Sequence, residues 1–271
     1  GQKVAIVSPK AQTTRTRLMG VAIEGEAQIL LVDTPGIFEP RRRLDRAMVA
    51  AAWGGAEGAD LIALVVDGKG GIGPKVTVIL ETLKHRRERK YLILNKVDIA
   101  DKPRLLTHAE RLNEILPFDE TFFVSAATGD GVPDLKNALA AAMPAGPWHF
   151  PEDQVSDATE RSLAAEVTRE QLYLQLHAEL PYASAVETEA YKERGDGSVE
   201  IHQQILVDRP TQRAIVLGKG GARIREIGAR ARAELAALMD RPVHLYLHVK
   251  VKQGWDEDRQ VYRDIGLDWV D

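Results

Sequence analysis

The sequence predicts a doubly wound α/β domain followed by a smaller α+β domain, and three observations carry that expectation. The first 143 residues alternate short Val/Ile/Leu runs with helical patterns. Residues 144–160, PAGPWHFPEDQVSDATE, then break the rhythm with three prolines and no clear period. Beyond them the order becomes α-β-β-α-α-β.

The apolar runs of the first part are Val4–Val7, Ile29–Val32, Leu61–Val66, Tyr91–Leu94 and Thr121–Val124. The last four show little alternation, which predicts strands buried on both faces of a largely parallel sheet. Helical patterns fall at 45–58, 75–88, 103–116 and 132–143, and Gly68, Gly70, Gly71 and Gly73 mark a loop. Residues 144–160 read as a linker. Arg161–Leu180 predicts a helix stopped by Pro181. Ala183–Tyr191 and Val199–Val207 alternate apolar and polar residues, with the turn Arg194-Gly195-Asp196-Gly197 between them, a hairpin pattern. A helix from about Arg213 is interrupted at Gly218–Gly221 and resumes to Met239; the strand Val243–Val251 and a short C-terminal segment follow. The expected division is 1–143, linker 144–160, and 161–271.

Composition narrows the function classes. Hydrophobic content of 44%, charged content of 28% and a net charge of −4 describe a globular chain that does not wrap nucleic acid with its whole surface. Cysteine is absent, which removes disulfides, thiolate nucleophiles and cysteine-ligated metals. The seven histidines are scattered, and His202, His244 and His248 read as ordinary sheet or surface residues. No apolar run is long enough to span a bilayer, so a cytoplasmic protein is expected.

Short motifs end three of the predicted strands. Asp33-Thr34-Pro35-Gly36 places a carboxylate where Mg²⁺ and a phosphate meet, and Gly36 lets its backbone approach a terminal phosphate. Asn95-Lys96-Val97-Asp98 suits guanine: one carboxylate, Asp98, accepts both N1–H and N2–H₂, a donor pair adenine lacks. Asn95 can tie loops together, and the Lys96 stem can cover the base. Ser125-Ala126-Ala127 can offer a backbone N–H to guanine O6. Each motif alone is also ordinary turn chemistry; their order and their place at strand ends give the set its weight.

The set resembles the translation-factor-related GTPases. The resemblance implies that Lys10-Ala11-Gln12-Thr13-Thr14-Arg15 is a switch segment, with Thr13 or Thr14 as a Mg²⁺ ligand beside Asp33. Some GTPases carry a water-orienting glutamine after the Asp-x-x-Gly motif; Ile37 stands here, so the catalytic group is not identified. No G-x-x-x-x-G-K-[ST] occurs. The expectation is that the chain begins after the phosphate loop and its helix, roughly 25 residues of a βαβ unit, natural loss being the alternative. As written, the chain is expected to bind guanine nucleotides poorly, since that loop supplies most of the phosphate grip.

In the second part, Gly218-Lys219-Gly220-Gly221 forms a Gly-x-x-Gly turn between helices. Arg213, Lys219, Arg223, Arg225, Arg230 and Arg232 surround it against the single acid Glu226. With the α-β-β-α-α-β order this resembles a bacterial-type (type II) KH domain, which clamps single-stranded nucleotides beside that loop. Arg223 and Arg225 are expected at phosphates, with Ile205 and Val207 offering apolar surface to bases.

A guanine-nucleotide domain joined to a C-terminal KH domain resembles the Era family of bacterial GTPases. The likeness runs through QTTR, DTPG, NKVD, SAA, HFPED, ELPY, VLGKGGARIREIG and VKVKQGW. It implies a P-loop-type GTPase fold, with GTP/GDP and Mg²⁺ as cofactors. The implied partners are the 3′ end of 16S rRNA and the 30S subunit, and the protein is expected to be a monomer with peripheral inner-membrane contact. The rival from another class is a non-enzymatic RNA-binding module with an inert α/β half.

Overall fold

The computed structural model describes residues 3–8, 10 and 13–271; Ala11 and Gln12 of the switch-like segment lie outside the described residues. The chain folds as an α/β half built on a parallel sheet, followed by an α+β half.

Strands β1 (Leu18–Glu24) and β2 (Ala27–Asp33) form an antiparallel hairpin, in register from Leu18↔Asp33 to Glu24↔Ala27. This corrects two expectations. Ile29–Val32 belongs to that hairpin rather than to the parallel sheet, and its partner Leu18–Glu24 was not foreseen as a strand. The physical cause is the two-residue connection Gly25-Glu26, where Gly25 takes φ 56° and closes a tight reversal. Val4–Val7 is not a strand either: it runs irregularly, and the Val7 amide bonds the Glu170 carboxylate at 2.7 Å. A short apolar run does not by itself require a ladder.

Strands β3 (Leu61–Asp67), β4 (Arg89–Asn95) and β5 (Glu120–Val124) make the parallel sheet. Its register pairs Asp67 with Asn95 and Asn95 with Val124, so the motif-bearing ends line up in one row. Helices α2 (Pro74–Leu83) and α3 (Lys102–Ile115) pack against it through Leu80, Leu83, Leu105 and Leu112 on Leu64, Val66, Leu92 and Leu94. Helix α4 (Val132–Ala142) lies by the hairpin, where Lys136 pairs with Glu24 at 2.6 Å.

Helix α1 (Arg43–Gly55) belongs to two cores. Trp53 packs on the parallel-sheet cluster. Leu44, Ala47 and Met48 instead join Ala185, Leu206, Trp255, Val261, Tyr262 and Leu267 of the second half.

The proline-containing segment is laid along the hairpin. Gln28 Oε1 accepts the His149 and Phe150 amides at 2.9 and 3.0 Å, and Val21 donates to the Val155 carbonyl at 2.9 Å.

Helix α5 (Glu160–Gln175) is N-capped by Thr159. It ends five residues before the expected Leu180: Leu176 turns extended, and both leucines are buried in the core. Strands β6 (Ser184–Glu193), β7 (Val199–Val207) and β8 (Val243–Val251) form a sheet in that order, β6 antiparallel and β8 parallel to β7. Helices α6 (Pro210–Leu217) and α7 (Ala222–Met239) flank a one-turn 3-10 helix, Lys219–Gly221. Pro210 starts α6 ahead of the expected Arg213, since proline suits a first helical turn. Helix α8 (Arg259–Asp264) closes the chain. Among the described residues no helix is long and apolar enough to cross a membrane.

Candidate functional site

At the end of β2 the Thr14 hydroxyl donates to Asp33 Oδ2 at 2.9 Å. Burial pushes the Asp33 carboxyl up, while the Thr14 hydroxyl and the Thr34 amide hold it down. Thr13 turns its carbonyl elsewhere, accepting from Arg169 at 2.5 Å. The structure therefore gives the two threonines different partners: the Thr14 hydroxyl meets Asp33, and the Thr13 carbonyl meets Arg169. Two hard oxygen donors side by side suit Mg²⁺, which takes few protein ligands and completes its shell with phosphates and water. Among the described residues no cluster of His, Asp and Glu forms a rival metal site. Pro35 is buried, Gly36 exposed and Ile37 partly buried. Thr34 lies against the last turn of α1, close to Gly55.

The second group sits at the ends of β4 and β5. Asn95 Oδ1 accepts the Lys96 amide at 2.8 Å and the Ala126 amide at 3.0 Å, so it does lace the two loops together. Because Asn95 takes the Ala126 amide, the exposed Ala127 is left to offer its own. Ser125 is buried and shapes the turn, its hydroxyl accepting from Thr128 at 3.2 Å. Lys96 takes φ 69° and pairs with Asp67 at 2.7 Å. That bond, with the Gly70 and Lys69 amides, holds the Asp67 carboxyl below its usual range. Asp98 stands exposed. Asn95→Ala removes the acceptor for two amides, and is expected to cost about 1–3 kcal/mol. Hydrogen exchange should then rise at Lys96 and Ala126 and not in β7.

Sequence reasoning missed Asp67, whose place opposite Asn95 in the register was the available signal. It also missed Lys10, Arg15 and Arg169. Arg15 is 5% exposed and donates to the carbonyls of Ser184, Pro181 and Tyr182 at 2.7, 3.1 and 3.2 Å. Lys10 Nζ caps the carboxyl end of α5 on the Tyr173 and Leu176 carbonyls, where a cation is favoured.

In the second half, Gly218, Gly220 and Gly221 take φ of 71°, 58° and 74°. A Cβ at Gly218 would meet Arg223 Cβ at 2.8 Å, whereas one at Gly220 would meet nothing within 4 Å. Gly218 builds the turn, and Gly220 keeps its outer face open. Lys219 is exposed. Arg223 and Arg225 brace the loop on the Ile215 and Gly220 carbonyls at 3.0 and 2.7 Å, each keeping further donors on its five-donor fork. One expectation is corrected: Ile205 and Val207 are fully buried in the core, because they point to the helix-covered face of β7. The exposed apolar residue beside the loop is Ile215, at 48%. His202 stacks on Tyr246 at 4.8 Å, and His248 lies 3.6 Å from Glu189.

Residues 1–96 match the 50S ribosome-binding GTPase family and residues 179–256 the KH domain family. The chain is 60% identical over 274 residues to GTPase Era of Erythrobacter litoralis (strain HTCC2594), covering 100% of this chain and 90% of that protein. It is 54% identical over 269 residues to GTPase Era of Brucella suis biovar 1 (strain 1330), covering 99% and 86%. A crystal structure of Era in complex with MgGDPNP and nucleotides 1506–1542 of 16S ribosomal RNA superposes with a TM-score of 0.92 at 35% identity, covering 97% of this chain and 90% of that one. An Aquifex aeolicus Era variant bound to GDP·AlF4⁻ gives the same TM-score at 36% identity, with the same coverage.

Proposed function

The chain belongs to the Era family of GTPases, and on that premise we propose that it is a GTP-hydrolysing switch that binds the single-stranded 3′ end of 16S rRNA and assists 30S subunit assembly. Asp98 selects guanine, Asn95 and Lys96 frame the base, and the Ala127 amide meets guanine O6. Asp33, Thr34, Pro35 and Gly36 contact the terminal phosphate, and Thr14 with Asp33 holds Mg²⁺, which would neutralise phosphate charge. Gly218–Gly221 with Arg223 and Arg225 clamps RNA phosphates. Residues 1–143 form the nucleotide domain, 144–160 the connector and 161–271 the RNA-binding domain. The protein acts as a cytoplasmic monomer with peripheral inner-membrane contact.

The observation that carries coupling between the halves is α1. It is the first helix after the Asp33–Gly36 turn, beyond six intervening residues, and packs at one end on the parallel-sheet core and at the other on the KH-side core. A change at the terminal phosphate that moves the turn is passed along this short connection to a helix seated in both. Ordering of such segments by a γ-phosphate and their release on hydrolysis is an established switching device.

The test begins with a fluorescent GTP analogue and Mg²⁺, titrated into this chain and into a version carrying a phosphate-loop segment ahead of Gly1. The affinity of that version for single-stranded 16S 3′-end RNA is then measured with GTP and with GDP bound. Equal RNA affinity in the two states would sink the coupling, and absence of guanine-nucleotide binding in both versions would leave an RNA-binding module alone. Lys219→Asp with Gly220→Asp places two carboxylates in open space on the loop, and like-charge juxtaposition costs several kcal/mol. RNA affinity should then fall on the order of 100-fold. The side chain placed at Gly220, where φ is 58°, costs about 1–2 kcal/mol of stability and lowers the melting temperature slightly; Lys219→Asp alone should weaken RNA binding without that shift.

A further inference from the structure

The segment before β1 is held by the other half of the molecule, on both sides of Thr14. Arg169, on α5, is 3% exposed. Its Nε and Nη2 donate to Glu166 at 2.8 and 2.5 Å, and Nη2 also donates to the Thr13 carbonyl at 2.5 Å. On the far side Arg15 is buried on the Ser184, Pro181 and Tyr182 carbonyls. Thr14, between these anchors, turns its hydroxyl the opposite way, to Asp33. Farther back, Glu170 receives both the Val7 amide and Lys3, and Lys3 also pairs with Glu234 of α7.

Two buried guanidiniums are an expensive way to join two halves. Arg15 is held by three carbonyls and the Tyr173 side chain, with no carboxylate bonded to it, and Arg169 shares Tyr173 as well as Glu166. Packed apolar residues would fill such space at less cost in desolvation. A planar fork does what a methyl group cannot: it fixes where a backbone carbonyl lies and how it is directed. With Thr13 and Arg15 both fixed, the Thr14 Cα has little freedom and its hydroxyl is aimed.

We propose that Arg169, in the KH-side half, is a positioning residue for the Thr14–Asp33 pair, holding the Thr13 carbonyl so that Thr14 meets the Mg²⁺ of bound GTP. This rests on the assignment of Thr14 and Asp33 made above. Half of the metal site's geometry is thereby set by the RNA-binding side.

The test uses the chain carrying a phosphate-loop segment, with Arg169→Met, Arg169→Lys and Thr14→Ala. Two affinities for a fluorescent GTP analogue are read, one in EDTA and one as a Mg²⁺ titration. Arg169→Met should raise the Mg²⁺ concentration for half-saturation roughly tenfold, the usual scale for removing a group that orients a metal ligand. The EDTA affinity should stay within about twofold, since no base or phosphate contact is touched. Thr14→Ala should do the same, and the double variant no more than either. Hydrogen exchange should rise at Thr14–Arg17 in Arg169→Met while β7 and α7 stay protected. If Arg169→Met does not fold, Arg169→Lys keeps a cation opposite Glu166 without the planar fork and should show the same split. An unmoved Mg²⁺ midpoint in the Arg169 variants, with a shifted one in Thr14→Ala, overturns the positioning role and leaves the site assignment standing. An unmoved midpoint in Thr14→Ala overturns both. Equal losses with and without Mg²⁺, or lost protection in α7, would make Arg169 a structural prop and overturn the proposal.

Discussion

Asp98→Asn is expected to abolish the preference for guanine nucleotides and replace it with a preference for xanthine nucleotides. The carboxylate accepts from two adjacent donors of guanine, and each charge-assisted bond is worth about 1.5–3 kcal/mol. An amide presents one acceptor and one donor, so one contact is lost and the other becomes a clash of donors. A loss of about 3–4 kcal/mol, roughly 100- to 1,000-fold in GTP affinity, follows. Xanthine carries a carbonyl where guanine has its amino group, and the asparagine amide can donate to it. Asp98 is exposed, so the melting temperature should not move. Competition of GTP and XTP against a fluorescent analogue reads the result. Equal guanine affinity in variant and parent would mean that Asp98 does not meet the base.

Leu44→Ala tests the other large effect, the seating of α1 on the KH-side core. Leu44 is 1% exposed among Met48, Leu206, Trp255 and Tyr262, and truncating a leucine so buried costs about 2–5 kcal/mol. The melting transition should fall, and the difference in RNA affinity between GTP and GDP states should shrink with it. Leu80→Ala is the informative contrast. Leu80 is fully buried but lies wholly within the parallel-sheet core, so its loss should cost comparable stability and leave the nucleotide effect on RNA intact. If both variants reduce that effect equally, the loss follows stability and α1 has no special part in coupling.

Much of the candidate site could be read before any coordinates. Asp33, Asn95 and Ser125 announce themselves because each closes or directly follows a short apolar run, and the residues that must sit at such a strand end are few in kind. Gly218 is legible for a similar reason, since a positive φ between two helical patterns leaves little choice but glycine. The hairpin was misjudged because four apolar residues satisfy more than one period. Ile29–Val32 looks equally at home in a parallel sheet or on one half of a hairpin, and only pairing with Leu18–Glu24 decides. Ile205 and Val207 were assigned to the wrong surface because alternation marks two faces and does not say which one the helices cover.

The sequence by itself determined the order of the elements from β2 to β8, the family and the three motif-bearing strand ends, since apolar pattern and turn chemistry act over a few residues. Only the tertiary structure decided which threonine faces Asp33, that α1 serves two cores, and that Arg15 and Arg169 are buried on either side of Thr14. Arginine is ordinarily an exposed residue. These two are taken out of water because Glu166, the Tyr173 side chain and the backbone carbonyls of Thr13, Pro181, Tyr182 and Ser184 converge on them. The carbonyls, 156 to 169 residues away, leave no local pattern in the chain, and their effect exists only once the two halves have closed on each other.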